Sequence, residues 1–159
     1  MTLKIPEQVQ TLSELVEWCA DELDIAPLYF GHGTDNALDE AAWLVAFALN
    51  LNRDYAGVDI SRAIDEKEKK AILSLLERRI TEHLPTAYLT NEAWFAGYCF
   101  YVDENVLIPR SPIAELINNR FKPWLAGRKI SHILDIGTGS GCIAIACAMA
   151  FPEARVDAT

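Results

Sequence analysis

Apolar residues recur at helical spacing near the start of the chain. Thr11 and Glu14, three residues apart, have the pattern of a capping box at the start of this segment. Pro27 and the glycines that follow would end it. The pattern therefore predicts a first amphipathic helix. Its apolar face comprises Leu12, Leu15, Val16, Cys19 and Leu23.

Two further helical segments follow. Thr34 or Asp35 can cap a second helix that runs through an alanine-rich stretch to about Asn50. Residues 61–83 are charged at their start and then apolar at helical spacing, which indicates a third helix or a pair of helices. We therefore predict a small helical domain over residues 1–84.

The pattern then changes to short runs rich in aromatic and branched residues. Residues 94–101 and 106–108 flank the polar triplet Asp103-Glu104-Asn105, which is typical of a β-hairpin. Gly97 would mark a bulge or kink in the first strand. Residues 85–110 are therefore assigned to a hairpin connector.

The last third of the chain predicts alternating helices and strands. Pro112 suits the first turn of a helix that Pro123 and Gly127 would close. A strand, a buried helix and a second strand follow at residues 130–136, 142–151 and 155–158. This order is typical of the opening of a parallel α/β sheet. The predicted fold class is α/β, with a helical bundle, a hairpin and an α/β segment over residues 111–159.

Charge is distributed unevenly along the chain. The net charge is −9, and the segment through Pro85 carries 8 basic and 16 acidic residues. An acidic surface repels nucleic acid, so we expect no direct nucleic-acid binding. It could steer a basic protein partner, or it could serve only to keep the protein soluble.

Membrane and metal sites are not expected. Residues 1–10 contain no signal-peptide pattern, and the longest apolar run, residues 142–152, is far shorter than the roughly 20 residues that span a bilayer. A cytoplasmic protein is therefore predicted. The cysteines form no C-x-x-C pair and the histidines stand singly, so no metal site is expected. Three cysteines are expected in the core, and the four tryptophans are expected to pack in the core or the hairpin.

A glycine-rich loop stands between the predicted strand and the predicted buried helix. Its glycines are Gly137, Gly139 and Gly141, whereas a dinucleotide fingerprint would need its third glycine where Cys142 stands. No lysine followed by serine or threonine marks a phosphate-binding P-loop. A nicotinamide oxidoreductase stays open as an alternative, because Asp157 lies near the expected distance for a ribose-binding carboxylate.

An acidic residue followed by three alternating glycines resembles the first motif of the S-adenosylmethionine methyltransferases. In that family the loop contacts the methionine part of the cofactor, and the carboxylate, here Asp135, orients its ammonium group. The resemblance implies a Rossmann-like domain and a set of cofactor-binding residues. In this loop they are Asp135, Gly137, Thr138, Gly139, Ser140 and Gly141.

Three earlier motifs narrow this resemblance. Residues 85–89 (PTAYL), 94–98 (WFAGY) and 106–110 (VLIPR) precede the loop in the order found in the HemK-like glutamine-N5 protein methyltransferases. Residues 31–37 (GHGTDNA) and the Pro-Arg-Ser-Pro turn at 109–112 resemble the branch that methylates a large-subunit ribosomal protein. The release-factor branch, which usually has Pro-Arg-Pro, is the alternative.

The resemblance also implies roles for each region. The helical domain would recognise a basic ribosomal protein, and Pro109 and Arg110 would lie beside the pocket for S-adenosylmethionine. Arg110 would meet a carboxylate of the cofactor or of Asp135, or would face solvent.

The family's catalytic Asn-Pro-Pro-Tyr motif, which positions the glutamine amide, has no counterpart, since no Asn-Pro pair occurs in this sequence. We therefore expect this chain alone to be inactive in methyl transfer, with a protein-binding module as the alternative. An incomplete sheet would leave an open edge, so self-association is also expected.

Overall fold

A computed structural model describes residues 3–159 of the chain. The chain divides between Thr90 and Asn91 into two compact units, which we call the helical unit and the strand unit. Each unit has its own apolar core. The first two residues of the predicted helical domain lie outside the described residues.

Helix α1 (Leu12–Ile25) confirms the predicted first helix and its capping box. The Thr11 hydroxyl accepts a hydrogen bond from the Glu14 amide at 3.3 Å, and Glu14 Oε2 accepts one from the Thr11 amide at 3.0 Å. These reciprocal bonds satisfy two of the amides that the start of a helix leaves without partners. The predicted apolar face is largely buried, with Leu12, Leu15, Cys19 and Leu23 inaccessible to solvent.

Helix α2 (Ala37–Ala48) begins after Asn36, so the two predicted capping residues were wrong. Asn36 Oδ1 accepts a hydrogen bond from the Asp39 amide at 2.8 Å. The Thr34 hydroxyl instead donates to Glu40 Oε2 at 3.3 Å. Thr34 is therefore tied to the interior of the helical unit and is not available as a cap.

The third predicted segment contains one long helix, α3 (Glu66–Thr81), followed by the short helix α4 (Thr86–Thr90). Asp65 caps α3 and forms a second capping box with Glu68. The core of the helical unit is formed by side chains of α1, α2 and α3. Its largest fully buried residues are Leu12, Leu15, Leu23, Leu44, Ile72 and Leu76.

A buried ion pair joins α2 to α3. The Glu40 carboxylate bonds to the Arg79 guanidinium, and only 4% of each side chain is exposed. Glu40 Oε1 also accepts from the Thr86 hydroxyl at 2.6 Å, and Arg79 donates to the Tyr29 carbonyl at 3.2 Å. Because charges lose their hydration when they are buried, these extra bonds are needed to offset the cost of desolvation.

The strand unit begins with an antiparallel hairpin of β1 (Glu92–Phe95) and β2 (Tyr98–Tyr101). The turn consists of Ala96 and Gly97, whose φ angles are 51° and 88°. Positive φ at both positions is the signature of a type I′ turn, which matches the twist of paired strands. Gly97 thus makes the turn and does not mark a bulge as predicted.

The predicted turn at residues 103–105 was therefore wrong as a hairpin turn. Asp103 Oδ1 accepts a hydrogen bond from the Asn105 amide at 2.9 Å, so these residues form a local turn outside the sheet. Residues 106–108 form no strand. Both strands of the hairpin lie within residues 92–101, because the chain reverses inside the aromatic segment.

Helix α5 (Ile113–Asn118) has Pro112 at its N-cap and is shorter than predicted. Arg120 and Phe121 both have a φ of 51°, in the left-handed region. A right-handed helix cannot continue through two such residues. The helix therefore ends before Pro123 and Gly127, which were predicted to close it.

Strands β3 (His132–Asp135) and β4 (Arg155–Ala158) pair in parallel, with helix α6 (Cys142–Ala150) between them along the chain. The predicted order of strand, loop, helix and parallel strand is confirmed. The chain thus combines helices and sheets, as the predicted class requires. The core of the strand unit consists of Phe95, Phe100, Ile117, Cys142, Ala146 and Cys147.

The cysteines and tryptophans differ in how well they follow the predictions. Cys19, Cys142 and Cys147 are buried, which confirms three core thiols, and burial raises the pKa of Cys19 to about 12. Trp43 is buried, but Trp124 is 66% exposed, so the prediction that it packs in the core was wrong. Within residues 3–159, no helix is both long enough and apolar enough to cross a bilayer.

Candidate cofactor site

The glycine loop connects the end of β3 to the start of α6. Asp135 is the last residue of β3, and Gly141 is the N-cap of α6. The sequence predicted this arrangement, because residues 135–141 lie between a short apolar strand and an alanine-rich helix and must form the turn that connects them. The predicted cofactor residues at 135–141 therefore lie together.

All three loop glycines have positive φ angles: 74° at Gly137, 56° at Gly139 and 79° at Gly141. Left-handed backbone costs other residues about 1–2 kcal/mol, so the loop conformation requires glycine. A Cβ atom placed on Gly137 or Gly139 would meet no atom within 4 Å. The space beside the loop is thus open, and a ligand can approach its backbone closely.

The Asp135 carboxylate is oriented by its own loop. The Thr138 hydroxyl donates to Asp135 Oδ2 at 2.8 Å, which fixes one oxygen of a partly buried carboxylate. The pKa of the Cys147 thiol is raised, first by burial and then by the negative charge of Asp135. The carboxylate therefore acts electrostatically on the adjacent face of α6.

Opposite charge is presented at the start of α6. Gly141 provides no side-chain cap, so the amides of the first helical turn face the loop without one. These amides and the helix dipole favour a negative group. The loop thus offers a carboxylate and a helix start side by side, which suits the ammonium and carboxylate groups of an amino-acid ligand.

The chain beyond β4 runs alongside the same loop. The Thr159 carbonyl accepts hydrogen bonds from the Gly137 amide at 2.7 Å and the Thr138 amide at 3.1 Å. The Thr159 amide donates to the Asp135 carbonyl at 3.0 Å. Two loop amides are therefore occupied by backbone, and the pairing holds Asp135 in position.

Pro109 and Arg110 lie in the segment between β2 and α5, which has no regular structure. Pro109 is buried and Arg110 is exposed. Within the described residues Arg110 forms no ion pair, so the structure does not join it to Asp135. Asp157, the residue that kept the nicotinamide alternative open, is exposed and pairs with Arg155 at 3.0 Å.

No metal centre competes with this site in the part of the chain that the structure describes. Residues 3–159 contain no group of three or more histidine, cysteine, aspartate or glutamate side chains placed to hold a metal ion. The groups that the loop itself contains are its backbone, the Asp135 carboxylate and the hydroxyl groups of Thr138 and Ser140.

Known proteins resemble this chain over both of its units. Residues 29–90 match the family described as the PrmC N-terminal domain. A protein of Xylella fastidiosa (strain Temecula1) named ribosomal protein uL3 glutamine methyltransferase is 49% identical over 157 residues, which is 99% of this chain and 50% of that protein.

Proteins of the same name from other bacteria show similar agreement. The Bordetella pertussis protein is 44% identical and the Neisseria meningitidis protein 43% identical, each over 153 residues. This chain spans about half the length of the curated relatives it matches. Over that span, from the PrmC N-terminal domain through the glycine loop, the chain is similar to proteins named ribosomal protein uL3 glutamine methyltransferase.

Proposed function

We propose that the chain binds S-adenosylmethionine through residues 135–141 and forms part of an enzyme that methylates the side-chain amide of a glutamine in a ribosomal protein. The observation that supports the proposal is that the glycine loop joins the Asp135 carboxylate to the uncapped start of α6. The carboxylate would bind the ammonium group of the ligand, and the helix start would bind its carboxylate. The parallel pair β3–β4 would then be the start of a Rossmann-like domain.

The proposed reaction transfers a methyl group from the sulfonium of the cofactor to the nitrogen of the glutamine amide. That nitrogen is a poor nucleophile because its lone pair is delocalised, so correct positioning must supply much of the catalysis. Residues that accept the amide hydrogens are needed for this, and the sequence has no Asn-Pro pair that could belong to such a motif. We therefore propose that these 159 residues alone transfer no methyl group.

The helical unit is proposed to dock the protein substrate. It matches the PrmC N-terminal domain, and the acidic half of the chain suits a basic ribosomal protein. The relatives' names favour ribosomal protein uL3 over a release factor as the partner. Binding of purified uL3 that weakens as salt is raised would support this assignment, and equal binding of a release factor would contradict it.

The cofactor assignment can be tested by isothermal titration with S-adenosylmethionine and, separately, with NADH. We expect the first to bind and the second not to bind. In Asp135→Asn the binding should weaken about ten- to a hundredfold, because a hydrogen bond to a charged group contributes roughly 1.5–3 kcal/mol.

Asp157→Asn is the matched control, since it removes the same charge from a neighbouring strand. It should leave the affinity for S-adenosylmethionine unchanged. A nicotinamide site would give the reverse result, with NADH binding that depends on Asp157. Binding of neither cofactor would remove the support for a working cofactor site in this chain and leave the protein-binding module as the function.

A further inference from the structure

A second concave site lies at the other end of β3 and α6 from the glycine loop. This cavity of ≈ 320 Å³ is bounded by residues 120–130, which precede β3, and by residues 151–153, which follow α6. Helix α6 has nine residues. At 1.5 Å per residue its length separates the two sites by about 13 Å. The cavity is therefore distinct from the proposed cofactor site.

Positive charge dominates the lining of this cavity. Four cationic side chains contribute to it, and among its lining residues only Glu153 is acidic. Within residues 3–159, none of these four cations forms an ion pair. The four are Arg120, Lys122, Arg128 and Lys129. A chain with a net charge of −9 thus carries a local excess of positive charge around one concave surface.

Aromatic contacts hold part of this lining in place. The Arg120 guanidinium carbon lies 5.3 Å from the centre of the Phe151 ring, within the range of a cation–π interaction. The Phe121 ring lies 6.2 Å from the same Phe151 ring. The left-handed backbone at Arg120 and Phe121 turns the chain at this point. One wall of the cavity is therefore organised before any ligand arrives.

Four like charges around one cavity repel each other, and a ligand with several negative charges would relieve that repulsion. A single carboxylate would leave most of the charge uncompensated, whereas phosphate groups carry multiple charges and several acceptor oxygens for arginine and lysine. We propose that this cavity binds phosphate groups. The ligand is either a small phosphoanion or the backbone of a single-stranded nucleic acid.

An exposed tryptophan favours the nucleic-acid source. Trp124 precedes the lining residue Leu125 in the sequence and does not itself line the cavity, and 66% of its surface is exposed. Aromatic side chains beside basic grooves stack on unpaired bases. The expectation that the protein avoids nucleic acid came from the acidic first half of the sequence, whereas this cavity lies in the second half, where the net charge is −1.

The test uses the full 159-residue chain and two probes. Inorganic pyrophosphate is titrated by calorimetry, and a short, fluorescently labelled single-stranded RNA is followed by anisotropy at several salt concentrations. The cavity variant is Arg128→Gln with Lys129→Gln. Its control is Lys67→Gln with Lys70→Gln, which removes the same charge from exposed positions of α3.

We expect the cavity variant to bind about tenfold more weakly and the control to bind as the parent does. Because each phosphate contact contributes about 0.7 to the slope of log K against log salt for single strands, the cavity variant should lose roughly 1.4 of that slope. Circular dichroism of both variants checks that they fold.

The probes distinguish the two sources of phosphate. RNA binding that pyrophosphate competes away, and that weakens in Trp124→Ala, identifies a nucleic-acid backbone. Pyrophosphate binding without RNA binding identifies a small phosphoanion. Binding of neither probe at low salt, or equal weakening in the cavity and control variants, would overturn the proposal.

Discussion

The two units of this protein stabilise themselves in different ways. The helical unit has two helices with complete capping boxes and a buried ion pair, Glu40–Arg79, that is hydrogen-bonded to three further residues. Within the described residues of the strand unit, the one ion pair is Arg155–Asp157, which is exposed. In the helical unit, polar side chains form bonds that hold the interior together. In the strand unit, polar side chains instead shape the glycine loop.

Both units expose large apolar side chains, and those of the helical unit include Ile25, Leu38 and Ile60. Four apolar side chains on β3, α6 and the glycine loop expose about half of their area or more: Leu134, Ile136, Ile145 and Met149. Uncovered apolar surface of this kind marks interaction sites. The two units therefore differ in their polar interactions: the helical unit buries an ion pair, whereas the strand unit carries the candidate cofactor loop. Self-association through this surface stays a prediction.

The largest expected effect comes from breaking the buried ion pair. Arg79→Met leaves the Glu40 carboxylate buried without its charged partner, which should destabilise the helical unit by about 3–5 kcal/mol. Arg78→Met is the matched control, because Arg78 pairs with Glu82 on the surface and exposed pairs contribute about 0–1 kcal/mol. Urea unfolding measures both variants. If the two variants have equal free energies of unfolding, the buried ion pair contributes no more to stability than the exposed one.

A second substitution tests whether cofactor binding by the strand unit depends on the left-handed backbone of the glycine loop. Gly139→Ala forces a φ of 56° on a residue with a side chain, at a cost of about 1–2 kcal/mol. Gly57→Ala makes the same change at a φ of 74° in the helical unit, where a Cβ would also meet no atom within 4 Å. Only Gly139→Ala should weaken S-adenosylmethionine binding in calorimetry. Loss of binding in both variants would point to a general effect of destabilisation.

A smaller effect is expected at the first capping box. Thr11→Ala removes the oxygen that accepts from the Glu14 amide and should destabilise the helical unit by roughly 1 kcal/mol. Thr81→Ala, at an exposed position near the end of α3, should change stability by less than about 0.5 kcal/mol. Hydrogen exchange should show faster exchange at the start of α1 in the first variant alone. Unchanged protection there would mean that packing, and not the cap, holds the helix start.

The smallest expected effect is a change in acid stability of the helical unit. Arg62 lies 2.7 Å from Glu68, and its hydrogen bonds hold the pKa of that carboxyl below its ordinary value. A lowered pKa in the folded state stabilises the protein above the ordinary pKa, and this contribution is lost as the pH falls through the lowered pKa.

Glu68→Gln should therefore flatten the fall in stability between the ordinary glutamate range and lower pH. Glu66→Gln, at an exposed position two residues earlier on the same helix, is the control for removing a charge. Thermal unfolding measured from neutral pH downward compares the two variants. If their acid limbs coincide, the Arg62–Glu68 pair makes no measurable contribution.

Local signals in the sequence predicted the start of α1 and the position of the glycine loop correctly. The capping box at Thr11 and the glycine loop at residues 135–141 both depend on residues a few positions apart, so spacing alone revealed them. The prediction failed where two nearby segments could each have formed the hairpin turn. The chain reverses at Ala96-Gly97 because that pair can adopt positive φ angles, although residues 103–105 have the more usual turn composition.

The buried cluster around Glu40 was missed, although one signal was present. Glu40 is an acidic residue on the buried face of an otherwise alanine-rich and apolar helix, and such a residue requires a partner. Its partner, Arg79, lies 39 residues away in the sequence, beside an arginine that faces solvent. The spacing of Ile72, Leu76 and Arg79 places Arg79 on the buried face of α3, but only the tertiary structure shows that its partner is Glu40.

The sequence by itself determined the order of strand, loop, helix and strand after residue 130, the capped helix start at Thr11 and the glycines that the loop requires. These properties arise from backbone preferences and short spacings, which a linear pattern contains. Only the tertiary structure decided which charges are buried together, as at Glu40 and Arg79, and which like charges share a cavity, as at Arg120 and Lys129. Burial and electrostatic energy depend on distances in space, because removal from water and proximity of charge are created only when remote segments pack.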